Sequence, residues 1–379
     1  MTEPIPLSLY VHLPWCIRKC PYCDFNSHTA PASLPEQEYI DALLRDFDSH
    51  LETIWGRRLT SIFIGGGTPS LFSADSIKTL LQQIHARLPF HPDMEITLEA
   101  NPGTVEQQRF DGFRAAGINR LSLGVQSFNP GHLKKLGRIH DHHDALRAID
   151  IAKRAGFENI NIDIMFGLNQ QTLAEALSDI QQAINLNTSH LSWYELTIEP
   201  NTVFYKTKPP LPSDELKIAM QTQGQQLLKN HGFEQYEVSA YAKPDQYCRH
   251  NLNYWEFGDY LGLGAGAHSK LTNLAEQTII RHHNVKQPKD YLNKEKSFIA
   301  EKSAINEDEL VFEFMLNALR LKNGVPLALF TERTGLPLSD ISDKLETLTH
   351  DGLLEKSDLL LKTTELGYLH LNAVLLRFM

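Results

Sequence analysis

Along residues 8–200, short apolar runs alternate with longer stretches whose apolar positions recur every three or four residues. Ser8–Leu13, Ser61–Ile64, Glu95–Glu99, Arg120–Val125, Asn159–Ile164 and His190–Leu196 have the length of buried strands. Between them, Tyr39–Leu51, Ile77–Leu88, Gln107–Ala116, His143–Ala155 and Leu173–Ile184 carry helical spacing. Strands separated by helices pair in parallel, because a right-handed crossover lays each helix back on the sheet. Six such units predict an α/β fold, a partial (β/α)6 barrel rather than a small accessory sheet.

Residues 200–290 are richer in aromatics and turn formers, and their periodicity weakens. Glu309–Leu321 reads as an amphipathic helix with Leu310, Phe314 and Leu321 among its apolar positions. Pro326–Arg333, Leu338–Leu348 and a hairpin-like Gly352–Gly367 follow, which together describe a helical, winged-helix-like domain. The pattern divides the chain into a core over 1–240, a connecting region over 241–300 and a C-terminal domain over 301–379. The last carries 8 Lys/Arg against 13 Asp/Glu, so it is read as a packing or lid domain and not a DNA reader.

Charge and composition narrow the classes. A net charge of −10 argues against general attraction to nucleic acid. The N-terminal stretch MTEPIPLSLYVHLPW lacks a basic segment followed by a long apolar one, and no run approaches the roughly eighteen apolar residues of a membrane span. A cytoplasmic protein is expected. Of 4 Cys, three fall within eight positions, which suits a metal or redox site better than a disulfide framework.

Glu99, Gln126 and Asp163 lie at or just past the C-terminal ends of strand candidates, the edge where parallel α/β folds bind ligands. Capping of the following helices is the plainer reading of any one of them. Cys16-Ile-Arg-Lys-Cys20-Pro-Tyr-Cys23 is the feature that carries chemistry. Three thiolates on one loop can each hold one iron of a 4Fe–4S cubane and leave the fourth iron open. Zinc is the rival metal, but structural zinc takes four ligands, commonly from paired knuckles, and here Cys248 or a His would have to supply the fourth. Cys248 by itself reads as an ordinary half-buried thiol.

The C-x3-C-x2-C spacing, with Tyr22 just before the last Cys, resembles the radical S-adenosylmethionine (SAM) superfamily. About forty residues on, Ile62-Phe-Ile-Gly65-Gly66-Gly67-Thr68-Pro69 sets a glycine-rich turn directly after a strand. The resemblance narrows to the coproporphyrinogen dehydrogenase branch, HemN and its relatives, through Tyr10–Cys16, Leu98–Thr104, Gly124–Phe128, Leu136–His140 and Asn161–Leu168. It implies a 4Fe–4S cluster on Cys16, Cys20 and Cys23 that, when reduced, cleaves SAM. It further implies SAM contacts from Tyr10, Tyr22, Gly66, Gly67, Thr68, Glu99, Gln126, Arg138 and Asp163. Glu99 would suit the SAM amine, Arg138 its carboxylate, and Asp163 or Gln126 the ribose hydroxyls.

Two functions compete within this branch: oxidative decarboxylation of coproporphyrinogen III, and the heme binding and transfer of the HemW group. The dehydrogenases carry a fourth Cys two residues after the triad, where this chain has Phe25, and a longer N-terminal extension than the fifteen residues before Cys16. His250-Asn251-Leu-Asn-Tyr254-Trp255 matches the HNxxYW motif of the HemW group. An imidazole such as His250 suits heme iron, and Asn251, Tyr254 and Trp255 complete the motif that would flank the macrocycle. His268, in a glycine-rich run, is a second candidate. The implied partners are heme, acceptor hemoproteins such as those of the respiratory chain, and an electron donor for the cluster. Peripheral membrane contact and a homodimer stay open. A non-catalytic scaffold that keeps its cluster for stability is the third reading.

Overall fold

The computed structural model describes residues 5–104, 107–273 and 275–379, so the first four residues of the N-terminal stretch read above lie outside it. Six strands form the centre: β1 (Leu7–Leu13), β2 (Leu59–Gly66), β3 (Phe90–Ala100), β4 (Arg120–Gln126), β5 (Asn159–Phe166) and β6 (His190–Glu195). They pair in chain order and all in parallel. Helices α1 (Glu36–Ile54), α2 (Ala74–Arg87), α3 (Gln107–Ala116), α4 (His142–Arg154) and α5 (Leu173–Asn185) fill the crossovers. The partial (β/α)6 barrel expected from the alternation is present.

The strands read as apolar runs because both of their faces are covered. Leu9, Val11, Ile62, Ile64, Leu98, Leu121, Leu123 and Ile162 all lie in one continuous buried cluster with the inner faces of the helices. β3 begins at Phe90, five residues before the run that announced it. Its leading residues His91, Pro92 and Asp93 are exposed, so nothing in their polarity marks them as a strand.

The sheet extends past both ends of the barrel. β7 (Glu234–Glu237) and β8 (Ala240–Ala242) add antiparallel to β6. On the other side β9 (Asp259–Leu263) pairs in parallel with β1, and β10 (His268–Asn273), β11 (Thr278–Asn284) and β12 (Ile299–Ala304) follow antiparallel. Residues 241–300, a connecting region by their pattern, thus supply β9, β10 and β11 and the start of β12 in the main sheet. The pattern hid them because the outermost, Ile299–Ala304, is exposed along nearly all its length and needs no apolar alternation. Helix α6 (Asp214–Asn230) packs on α5, and α7 (Arg249–Trp255) crosses from β8 to β9.

A second apolar cluster forms the C-terminal domain around α8 (Glu307–Ala318), α9 (Ala328–Thr334) and α10 (Ser342–His350). Pro326, expected to open a helix, lies instead in a two-residue pairing of Val325–Pro326 with Leu360–Leu361. Leu338–Asp340 is a separate tight turn behind Pro337 and does not continue into α10. The expected hairpin is represented by the Leu354–Thr363 bridge and that return pairing, the small wing of a winged-helix-like unit. Phe257 against Phe314 at 5.6 Å and the Arg320–Glu237 ion pair at 3.0 Å join this domain to the sheet. No described helix is long and apolar enough to cross a membrane.

Candidate functional site

The cysteine loop begins where β1 ends. Trp15 is wedged edge-on against Tyr39 at 4.7 Å, and Trp15–Cys16 pairs with His28–Thr29, which closes the loop at its base. Inside it, the Cys23 amide donates to the Cys20 carbonyl at 3.2 Å, and the Lys19 ammonium donates to the Phe25 carbonyl at 2.9 Å. The glycine turn after β2 docks on the same stretch, because the Gly67 and Thr68 amides donate to the Leu13 and Trp15 carbonyls, each at 2.8 Å. A Cβ on Gly67 would stand 2.5 Å from the Trp15 carbonyl oxygen, and Gly66 has φ +115° with its side-chain direction filled by His12. These glycines therefore let the turn press against the strand that presents Cys16.

Cys16, Cys20 and Cys23 line one cavity of about 340 Å³ together with Tyr22, Gly66, Gly67, Thr68, Glu99, Gln126, Arg138 and Asp163. Of the residues that the resemblance assigns to SAM, only Tyr10 falls outside this lining; it faces a neighbouring cavity. Glu99 sits at the C-terminal end of β3 and Asp163 in the C-terminal half of β5, the side on which parallel sheets bind ligands. Glu99 accepts from the Gly66 amide at 3.1 Å. Asp163 accepts from Ser122 Oγ at 3.0 Å and from Asn161 Nδ2 at 2.8 Å. Burial pushes the Glu99 carboxyl up to about 8, and the charge of Asp163 adds to the rise. Burial raises Asp163 as well, against the hydrogen bonds from Asn161, Ser122 and Ser192.

Gln126 has φ +70°, at a register shift between β4 and β5, and Tyr194 Oη donates to its Oε1 at 2.8 Å. A non-glycine residue in the left-handed region at a strand end is the kind of strain that binding sites hold in place by surrounding contacts. Arg138 donates through Nη2 to the Gly124 carbonyl at 2.5 Å and through Nη1 toward Cys20 Sγ and Tyr22 Oη, each at 3.5 Å. Its buried Nε has no hydrogen-bond partner among the described residues.

The donor set fits a cluster and a cationic nucleotide. Burial raises the Cys16 and Cys23 thiols, so a metal that binds there displaces protons and supplies the compensating charge. Among the described residues no three His, Cys, Asp or Glu side chains are grouped so as to hold one metal ion. Two buried acids with raised pKa values and an orphaned guanidinium nitrogen would be satisfied by a ligand that carries both an amine and a carboxylate. Cys248, read as half-buried, is 1% exposed and donates its thiol to Glu95 at 3.6 Å, outside the lining of this cavity.

Of the HNxxYW residues, His250 and Tyr254 meet one helical turn apart, with ring centroids 4.9 Å from each other, while Asn251 and Trp255 face elsewhere. His250 is 1% exposed, with Nδ1 bonded to Ser61 Oγ and Nε2 to Tyr254 Oη, each at 3.0 Å. Both ring nitrogens of this candidate heme donor are thus hydrogen-bonded within the protein in the ligand-free state. Tyr254 lines the neighbouring cavity, Asn251 lines neither cavity, and Trp255 stacks beneath Arg320 of the C-terminal region at 4.2 Å. Helical spacing accounts for this, because residues four apart share a face while Asn251 and Trp255 project to others.

Ser122, Ser192 and Tyr194 join the first cavity without having been singled out from sequence. Tyr194 lies at the C-terminal end of β6, and the rule that flagged Glu99 and Asp163 would have found it, whereas Ser192 lies nearer the middle of the strand.

Residues 10–180 match the family model of the Radical SAM superfamily, and residues 305–370 match that of the HemN C-terminal domain. The chain is 48% identical to the heme chaperone HemW of Haemophilus influenzae over 99% of this chain and 98% of that one. It is 46% identical to the heme chaperone HemW of Escherichia coli over the full length of both. Among solved structures, coproporphyrinogen III oxidase HemN from Escherichia coli superposes with a TM-score of 0.83. That match covers 99% of this chain and 90% of the other at 24% identity, and so speaks to the fold alone.

Proposed function

The chain belongs to the HemW family of radical SAM proteins, and from that membership we propose that it binds heme and passes it to acceptor hemoproteins. Near full-length identity to heme chaperones is the observation that carries this reading. Phe25, standing where the dehydrogenases of the branch have a fourth Cys, favours it over porphyrinogen oxidation.

In this reading Cys16, Cys20 and Cys23 would hold the cluster, which would supply an electron to SAM bound beside it. Arg138 and Tyr22, which meet beside Cys20, fix one end of the nucleotide's amino-acid group, and Glu99 receives its amine. Asp163, oriented by Ser122 and Asn161, and Gln126, oriented by Tyr194, face its ribose. The backbone of Gly66, Gly67 and Thr68 forms the floor. An electron donor, respiratory hemoproteins as acceptors, a membrane surface and a second copy of the chain are the partners this function calls for.

Glu99 makes the pairing testable by pH. The ionised carboxylate pairs with an ammonium, and the free protein holds the carboxyl near 8, so SAM affinity should rise roughly fivefold from pH 7 to pH 8 and level off above that. Glu99→Gln should flatten the profile. In the ligand-free protein the same shift acts on folding with the opposite sense. The unfolded chain ionises this group near 4.5, so its contribution to stability declines as pH climbs from there through about 8. Affinity that fell with rising pH would sink the assignment.

The functional test is anaerobic. Heme-loaded protein mixed with an apo-hemoprotein should lose its own Soret band as the acceptor's spectrum appears. Incubation with coproporphyrinogen III, SAM and reductant should leave the porphyrinogen unchanged; formation of protoporphyrinogen would overturn the chaperone reading in favour of the dehydrogenase.

A further inference from the structure

Adjacent strands of the barrel set a row of polar side chains on the face of the sheet that carries Asp163. In register, Ser122 on β4 stands beside Asn161 on β5, and Asn161 beside His190 on β6. Ser192 is level with Asp163, two residues further along its strand and so on the same face. Tyr236 on β7 reaches His190 from the antiparallel extension of the sheet. Ser122, Asn161, His190 and Tyr236 are all buried. Asn161, His190 and Tyr236 lie outside the lining of the cluster's cavity, which Asp163 enters. Buried polar groups cost stability unless they are paired, so where their bonds lead is informative.

The bonds all run one way, toward Asp163. Asn161 Nδ2 donates at 2.8 Å to both Asp163 Oδ1 and Ser122 Oγ, and Ser122 donates on to Asp163 Oδ2 at 3.0 Å. With its nitrogen turned to a carboxylate, the Asn161 amide leaves its oxygen to accept. That oxygen takes His190 Nδ1 at 2.6 Å and Ser192 Oγ at 3.1 Å. Burial and the charge of Arg120 hold His190 well below the usual imidazole range, so the ring is neutral and carries one proton. The other tautomer would set the lone pair of Nδ1 against that of Asn161 Oδ1, so the proton sits on Nδ1. Nε2 is then an acceptor, and it takes the Tyr236 hydroxyl at 2.8 Å. The Tyr236 oxygen in turn accepts from the Cys248 amide at 3.3 Å.

We propose, on the footing of the nucleotide reading of the cluster's cavity, that His190 is a positioning residue for SAM, acting through Asn161 to hold Asp163 as an acceptor for the ribose hydroxyls. A carboxylate offers about four lone-pair sites, and the two that Asn161 and Ser122 occupy fix its plane. The rest are left for the hydroxyls of a ribose. A protonated or rotated Asp163 would meet those hydroxyls with a donor or miss them. The donors from Asn161, Ser122 and Ser192 oppose protonation, and so does the buried Arg120 guanidinium. Through Tyr236, a strand outside the six β/α units steadies a site that it does not line.

Anaerobic equilibrium dialysis of SAM against the full-length, cluster-loaded protein tests the role, with iron content measured on every variant. His190→Asn keeps a donor at the place of Nδ1 and should bind SAM within about twofold of the wild type. His190→Gln keeps a partner for Tyr236 but none for Asn161, and should bind at least about fivefold more weakly, the order of one lost buried hydrogen bond. Packing alone predicts the reverse order, since Gln fills the imidazole volume better than Asn. Asp163→Asn should weaken SAM by itself, and in that background His190→Gln should add less than about twofold, because the residue it acts through is gone. A His190→Gln variant that binds no more weakly than His190→Asn, or one whose loss persists in Asp163→Asn, overturns the positioning role and leaves the nucleotide reading intact. Wild-type SAM affinity in Asp163→Asn overturns both.

Discussion

Cys20→Ala is expected to strip the protein of its cluster, from about four irons and matching sulfide per chain to well under one. Two thiolates cannot cap three irons, and the remaining thiols, Cys16 and Cys23, are raised by burial, so protons compete with iron for them. SAM binding should go with the cluster, because its open iron is gone while Glu99 and Arg138 remain. Cys248→Ala supplies the contrast. That thiol sits against Glu95 and is pushed up to about 12 by burial, so its loss should leave iron content unchanged. Anaerobic reconstitution followed by iron and sulfide analysis decides the matter. A full cluster in Cys20→Ala would remove the ligand assignment, and stoichiometric zinc without sulfide would remove the cluster itself.

His250→Ala should destabilise the fold by about 2–4 kcal/mol, from the lost imidazole volume and the two hydroxyls left without partners in the interior. Ser61 on β2 and Tyr254 on α7 are the groups affected, and the His250 amide is itself tied to Glu95 Oε1 at 3.0 Å. Acid should reveal the same residue. Burial holds His250 down to about 3, whereas the unfolded chain protonates it near 6.5, so the folded state loses stability as pH falls through this window. In His250→Ala the pH dependence between about 6.5 and 3 should be shallower. Urea melts at several pH values measure both effects. A variant with wild-type midpoint at pH 7 would contradict the buried, doubly bonded imidazole.

The contrast between His250 and His268 shows where local pattern stops being informative. HNxxYW is six consecutive residues, and sequence proximity suggests a common purpose. On α7 His250 turns inward to β2 while bonding Tyr254, which faces the neighbouring cavity, and Trp255 packs apart from them under Arg320. His268 lies eighteen residues away on the next but one element, yet it shares a cavity with Tyr254 because β9 and β10 fold back beside β1. The same return places Tyr10, expected at the nucleotide, in the neighbouring cavity instead.

What the chain carries locally was legible without coordinates. Six buried strands announced themselves because a strand covered on both faces must be apolar throughout, and the three-thiol loop because its three donors fall within eight residues of one segment. Glu99 and Asp163 were visible as polar residues at strand ends, where the parallel sheet alone predicts a site. Only the tertiary structure decided which partners His250 bonds, that residues 241–300 contribute to the main sheet, and that Gln126 is held in a left-handed conformation by Tyr194. Each of these depends on partners far apart in the chain, and the exposure of a side chain is a property of what packs against it, which no window of neighbouring residues contains.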